Sequence, residues 1–202
     1  PWQQLAKRQQ ATFTVTPVKP DGTVDIAALL AAITPQTKVV AVAQVTNVAG
    51  DTLPIAKIAA KAHAVGAVVV VDGAQAVAHL AVDVQAMGAD FYAFSGHKIY
   101  GPTGIGALYG RADLLQHMPP IQFGGEMISE VRDDVSTWAD GPIKYEAGTP
   151  HIAGVIGLGA ALTWFNQSVN AAAFDNEHQL ADQLRAGLAA IPDVTVYGNQ
   201  AS

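Results

Sequence analysis

Val68-Val69-Val70-Val71-Asp72-Gly73-Ala74-Gln75 is the stretch on which the fold turns. Four β-branched residues without a polar break read as a strand buried on both faces, the kind found in parallel sheets. The surroundings repeat this pattern. Just upstream, Pro54 opens a helix that runs through Ala64, with Ile55, Ile58, Ala59 and Ala62 on one stripe, and Gly66 ends it. Before that helix, Val39 to Val45 is a second near-continuous apolar run. Earlier still, Asp25 can cap a helix carrying Ile26, Leu29, Leu30 and Ile33. Ala11 to Pro17 alternates as a strand would, and Pro20-Asp21-Gly22 turns the chain.

Downstream, a short helix around Val84 to Met87 leads into the strand Phe91-Tyr92-Ala93-Phe94. A further strand, Gly104 to Tyr109, and a short helix, Ala112 to His117, follow. Strands alternating with helices predict an α/β fold: a three-layer sandwich with a mostly parallel central sheet covered on both sides. Such sheets bind ligands at the carboxyl ends of their strands. Pro119 to Ala147 has no period and reads as a long functional or interface loop. Helices are expected over His151 to Gln167 and Ala171 to Ala190, with a new strand starting at Val194 to Tyr197.

The chain's 202 residues, half of them hydrophobic, are enough for one core. Eleven Lys and Arg against 17 Asp and Glu give a net charge of −6, without a basic run, which argues against a nucleic-acid partner. There are no cysteines, which excludes disulfides and Cys-ligated metal and is compatible with a cytoplasmic setting. No apolar run has the length of a membrane span, so no membrane partner is expected. The start, Pro1-Trp2-Gln3-Gln4, lacks the layout of a signal peptide and an initiator Met. The chain is therefore expected to begin partway along a longer one.

Three strand ends carry polar residues suited to chemistry. At Asp72 a carboxylate closes a buried strand, which is costly unless a cation meets it. It reads as a cap, as half of a structural ion pair, or as the counter-charge of a bound cation. After Phe94 come Ser95-Gly96-His97-Lys98 and a glycine-rich turn, where backbone can approach a ligand closely. A lysine there is either a solvated surface residue or a Schiff-base former, and Ser95 and His97 could donate to a phosphate. Asn47 follows the Val39 to Val45 run and by itself reads as a turn residue. An acid for a ring nitrogen, a lysine for an aldehyde and donors for a phosphate are together what pyridoxal 5'-phosphate needs. The remaining histidines, His63, His79, His117, His151 and His178, show no metal-ligand spacing and read as structural or surface residues.

Val71-Asp72-Gly73-Ala74-Gln75, Phe94-Ser95-Gly96-His97-Lys98-Ile99-Tyr100-Gly101-Pro102-Thr103-Gly104, Glu146-Ala147-Gly148-Thr149-Pro150 and Gly157 to Leu162 together resemble the SufS-type cysteine desulfurases of the class V aminotransferase group. The resemblance runs from Pro1-Trp2 over essentially the whole chain. It implies the large-domain core of a fold type I pyridoxal-phosphate enzyme, covering residues 1–192, with residues 193–202 starting a C-terminal small domain. It implies L-cysteine as substrate, L-alanine and an enzyme persulfide as products, a homodimer, a sulfur-acceptor protein as partner, and a place in iron–sulfur cluster assembly.

By the same resemblance, Lys98 matches the Schiff-base lysine and Asp72 the partner of the pyridine nitrogen. Gln75 matches the residue at the cofactor's phenolic oxygen, and Ser95 and His97 match phosphate ligands. Asn47 matches an asparagine near the cofactor and the substrate carboxylate. Thr149 matches a threonine that reaches the phosphate of the other subunit, and Gly148-Thr149-Pro150 reads as a helix N-terminus capped by Thr149. No metal site is expected. Family members run to roughly twice this length. The histidine that stacks on the pyridine ring, the persulfide cysteine and the carboxylate-clamping arginine all belong to regions outside these residues. Selenocysteine lyase, another class V reaction, or a non-catalytic dimerising core are the competing readings. A nicotinamide-binding module is disfavoured because no G-x-G-x-x-G follows the first strand.

Overall fold

The apolar runs become neighbouring strands. In the computed structural model, which describes residues 1–198, β1 (Val39–Ala43), β2 (Val68–Asp72), β3 (Phe91–Ser95) and β4 (Gly106–Gly110) form one sheet in the order β1-β2-β3-β4. The first three are parallel. Val39 pairs with Val68, Ala43 with Asp72, and Asp72 with Ala93. β4 returns antiparallel, with Ser95 opposite Gly106. The carboxyl ends of β1, β2 and β3 therefore share one edge. The fold is mixed α/β with a mostly parallel central sheet.

Among the described residues six α-helices accompany the strands: α1 (Trp2–Gln9), α2 (Ile26–Ala32), α3 (Ile55–His63), α4 (Ala112–His117), α5 (Ile152–Ser168) and α6 (Ala171–Ala189). Asp25 caps α2 as expected, its carboxylate accepting the Ala28 N–H at 2.9 Å. The stripe read for α3, Ile55, Ile58, Ala59 and Ala62, is buried. It packs with Leu29 and Ile33 against Val40, Val69, Val71 and Tyr92 of the sheet. Each buried Val, Leu or Ile side chain here contributes about 1.5–3 kcal/mol, so this layer anchors the strands whose ends form the site. A smaller cluster of Ala78, Ile99 and Leu158, with Phe94, Ile105 and Phe165 against it, fastens α5 to the turn after β3.

Burial within the sheet alternates. Val69 and Val71 are buried while Val68 and Val70 are only partly so, and Val39 is 45% exposed. The expectation of strands buried on both faces is corrected: only the face under α2 and α3 is buried. The opposite face carries Ala41, Ala43, Val70, Asp72, Ala93 and Ser95, placed together by the two-residue period and the register. With Trp2 of α1 they line a cleft of about 490 Å³.

Several expected elements are absent. Ala11 to Pro17 forms no strand; alternation needs a partner ladder, and the nearest pairing is an isolated bridge between Val18 and Val24. Val84 to Met87 is one turn rather than a helix, held by Asp83 Oδ1 accepting from Gln85 N and Ala86 N. The 119–147 stretch is not structureless: β5 (Ile128–Val131) and β6 (Ser136–Trp138) make a hairpin, and a 3-10 turn spans Gly141–Tyr145. Val194 to Tyr197 is irregular rather than a strand, and 199–202, the end of the stretch expected to start a small domain, lie outside the described residues. Among the described residues no single helix is long and apolar enough to cross a membrane.

Candidate active site at the carboxyl edge of the sheet

The strand ends are held by backbone before any side chain acts. Gln44 N donates to Asp72 O at 2.9 Å, and Gly73 N donates to Ala93 O at 2.8 Å, so the end of β2 is tied on both sides. Gly73 must lack a side chain, because a Cβ there would stand 2.0 Å from Cζ of the Tyr92 ring. The Asp72 carboxylate is exposed. Its Oδ1 accepts only the Ala74 N–H of its own loop, at 2.9 Å, and it has no cationic partner among the described residues. Most of its acceptor capacity remains for a ligand.

The turn after β3 is compact. Gly96 N donates to Ile105 O at 2.8 Å, and Ile99 N and Gly101 N both donate to Gly96 O. A Cβ on Gly101 would lie 2.9 Å from that same carbonyl, so the close approach requires glycine. The 3-10 turn Gly96–Lys98 thus presents Ser95, His97 and Lys98 beside the strand that ends in Asp72. Lys98 is half-buried and makes no ion pair or hydrogen bond among the described residues. In the loop after β1, Asn47 Oδ1 accepts a hydrogen bond from Gln75 Nε2, which joins two neighbouring strand-end loops.

Six of the seven residues singled out therefore stand on three successive strand ends: Asn47; Asp72 and Gln75; Ser95, His97 and Lys98. Thr149 does not join them. It is exposed in the loop before α5, whose N-cap is His151, so the expected Thr149 cap is corrected. Gly148, at φ +81°, bends the chain there, and the helix starts only at Ile152.

Over residues 1–202 the sequence matches the family model described as Aminotransferase class-V. The chain belongs to the class-V aminotransferase family. Among curated relatives, this class-V chain is 52% identical over 199 residues to a cysteine desulfurase of Dickeya dadantii, covering 98% of this chain and 48% of the relative. It is 48% identical over 200 residues to a probable cysteine desulfurase of Halalkalibacterium halodurans, covering 99% and 49%. Its fold superposes on the crystal structure of the cysteine desulfurase CsdA (S-sulfonic acid) from Escherichia coli with a TM-score of 0.88 at 42% identity, over 95% of this chain and 48% of that one. The cystine C-S lyase C-DES, in complex with its reaction product cysteine persulfide, gives 0.83 at 30% identity, over 95% and 52%. The class-V chain spans about half the length of the curated relatives it matches.

Two residues near the edge escaped the sequence reading. Tyr92, 2% exposed, lies beneath Gly73 and donates through its hydroxyl to Gln44 Oε1 at 2.8 Å; Gln44 is itself 8% exposed. Burial first, and the nearby Asp72 charge second, push the Tyr92 phenol up to about 12. The signal was a glycine after a β-strand, which implies close approach from a neighbour, but not from which one. Of the histidines, His63 pairs with Asp90 and His79 with Glu177, consistent with their structural reading. Among the described residues no group of three His, Asp or Glu side chains converges as a metal site would.

Proposed function

We propose that the whole protein is a pyridoxal-phosphate-dependent cysteine desulfurase. It would convert L-cysteine and an acceptor thiol into L-alanine and a persulfide. The observation that carries this reading is the juxtaposition of a carboxylate, Asp72, and a lysine, Lys98, neither ion-paired among the described residues, on adjoining strand ends beside a cleft. That donor set fits the cofactor: an acceptor for a protonated ring nitrogen, an amine for its aldehyde, and Ser95 and His97 as donors toward its phosphate. Curated relatives near 50% identity that are named cysteine desulfurases support the choice among class-V reactions.

The bound cofactor supplies an electron sink for bond breaking at the substrate. The chain's own contribution is to place the groups that act there. Asp72 would hold the ring nitrogen and favour its protonated form by charge and hydrogen bonding. Lys98 would hold the cofactor at its aldehyde and would move protons at the substrate's carbon. Asn47 and Gln75, linked to each other, stand as amide donors toward the substrate carboxylate and the cofactor's phenolic oxygen. These 202 residues contain no cysteine, so the thiol that receives the sulfur is not among them.

We further infer a homodimer, with Thr149 reaching the partner's cofactor phosphate and the 119–147 segment at the interface. Exposed Ile121, Phe123, Val131 and Val135 in that segment support this. Residues 1–192 form the proposed cofactor-binding domain. The cytoplasm, a sulfur-acceptor protein and iron–sulfur cluster assembly are its proposed setting. The test is L-alanine formation by the whole protein from L-cysteine and from L-selenocysteine. Alanine from cysteine matched by persulfide is the expected result. Turnover of selenocysteine alone would assign the competing lyase activity, and no alanine from either would overturn the reading.

A further inference from the structure

Beneath the edge that carries Asp72 runs a buried crosspiece. Tyr92 rises from β3, passes its ring under Gly73 at the end of β2, and ends on the Gln44 side-chain oxygen just beyond β1. It touches all three strand ends that hold the candidate site. By strand parity the Tyr92 side chain lies on the face of α2 and α3, while Asp72 lies on the other, so the crosspiece braces Asp72 from behind without occupying the cleft. The main-chain bonds from Gln44 N to Asp72 O and from Gly73 N to Ala93 O join the same three strands, so side-chain and backbone ties reinforce one another.

The hydrogen bond is in a buried setting, where a lost partner leaves a polar group unsatisfied. Both its partners are nearly closed to solvent. A tyrosine that served only as core would need no acceptor placed at the far strand; phenylalanine would fill the same volume. We propose that Tyr92 and Gln44 are positioning residues for the Asp72 carboxylate, setting where it stands against the ring nitrogen of the cofactor. This inference rests on the reading of Asp72 as that nitrogen's partner.

The test uses the whole protein loaded with pyridoxal phosphate labelled with nitrogen-15 in its ring, whose resonance reports protonation of that nitrogen. Tyr92→Phe keeps the ring under Gly73 and removes only the hydroxyl. It is expected to move the resonance toward the unprotonated position and to weaken cofactor binding to the apoprotein about threefold, well short of the loss when Asp72 itself is removed. Gln44→Met, which removes the acceptor alone, must shift the resonance in the same direction, and the double variant must add little to either single change. Asp72→Asn is the reference and should move it furthest. Tyr92→Phe and Gln44→Met variants that lose thermal stability but keep the wild-type resonance and cofactor affinity would overturn the inference while leaving the Asp72 assignment intact. An unmoved resonance in Asp72→Asn would overturn that assignment, and the inference with it.

Discussion

Two aspartates at opposite ends of one sheet have opposite fates. Asp90, at the amino end of β3, is 1% exposed and fully engaged. Its carboxylate accepts from Val69 N at 2.7 Å and from Arg111 Nη1 at 2.7 Å, and His63 Nε2 lies 2.9 Å away. Asp72, at the carboxyl end of β2, is exposed and holds one N–H of its own loop. Burial alone would raise the Asp90 carboxyl, but the Val69 N–H, His63 and Arg111 outweigh it and hold it below its ordinary value. The lesson concerns what counts as a site. A carboxylate whose partners are all supplied by the fold is committed to stability. One that the fold carries to an edge and leaves without a cation is available for a ligand.

Substitutions should separate the two roles. The largest effect on folding is expected at Asp90. Asp90→Ala leaves Val69 N and the Nη1 of Arg111 without their acceptor, although Arg111 keeps Asp113, and should cost about 3 kcal/mol in denaturant unfolding, with the cofactor chemistry of the remaining protein unchanged. Asp72→Ala should do the reverse. Unfolding stability should stay within about 0.5 kcal/mol, while affinity of the whole protein for pyridoxal phosphate falls by one to two orders of magnitude, because a hydrogen bond to a charged partner contributes about 1.5–3 kcal/mol. If both variants lost stability alike and neither lost affinity selectively, the contrast would collapse. A smaller loss, about 1 kcal/mol, is expected for Asp25→Ala, which removes the α2 cap and touches neither end of the sheet.

Acid and alkali sharpen the same comparison. Because the Asp90 pKa is depressed in the folded state, its contribution is present above the ordinary carboxylate value near 4 and is lost as pH falls through the lower folded value. An acid unfolding curve should therefore become shallower in Asp90→Asn, with Arg111, Asp113 and His63 the charged or titratable groups around it. At the other end Tyr92 is raised. Its contribution is intact below about 10 and should fade as pH climbs through about 12, a change that Tyr92→Phe removes and that Asp72→Asn moves to lower pH.

Much of this arrangement is legible in the sequence. The valine runs placed β1 and β2, the Ile55, Ile58, Ala59 and Ala62 stripe placed α3, and the polar residues after each run located the edge. What was hidden depended on pairing or packing at a distance. Tyr92 meets Gln44 only through the β1-β2-β3 register, and Asp90 meets His63 and Arg111 only once α3 and β4 have docked. Ala11 to Pro17 alternated without a partner to pair with, whereas the β5–β6 hairpin paired without a clear alternation to announce it. Local pattern finds elements whose burial is local; it is blind to partners supplied from elsewhere in the chain.

If the carboxyl edge bearing Asp72 and Lys98 is the seat of the cofactor, Lys98 is the residue that holds it covalently. Lys98→Ala in the whole protein, supplied with pyridoxal phosphate, tests it most directly. The visible absorption of the lysine-linked cofactor is expected to disappear, and borohydride reduction should no longer fix the cofactor to the peptide containing residue 98, while the protein remains folded. Persistence of that absorption together with a reducible adduct on the variant would contradict it.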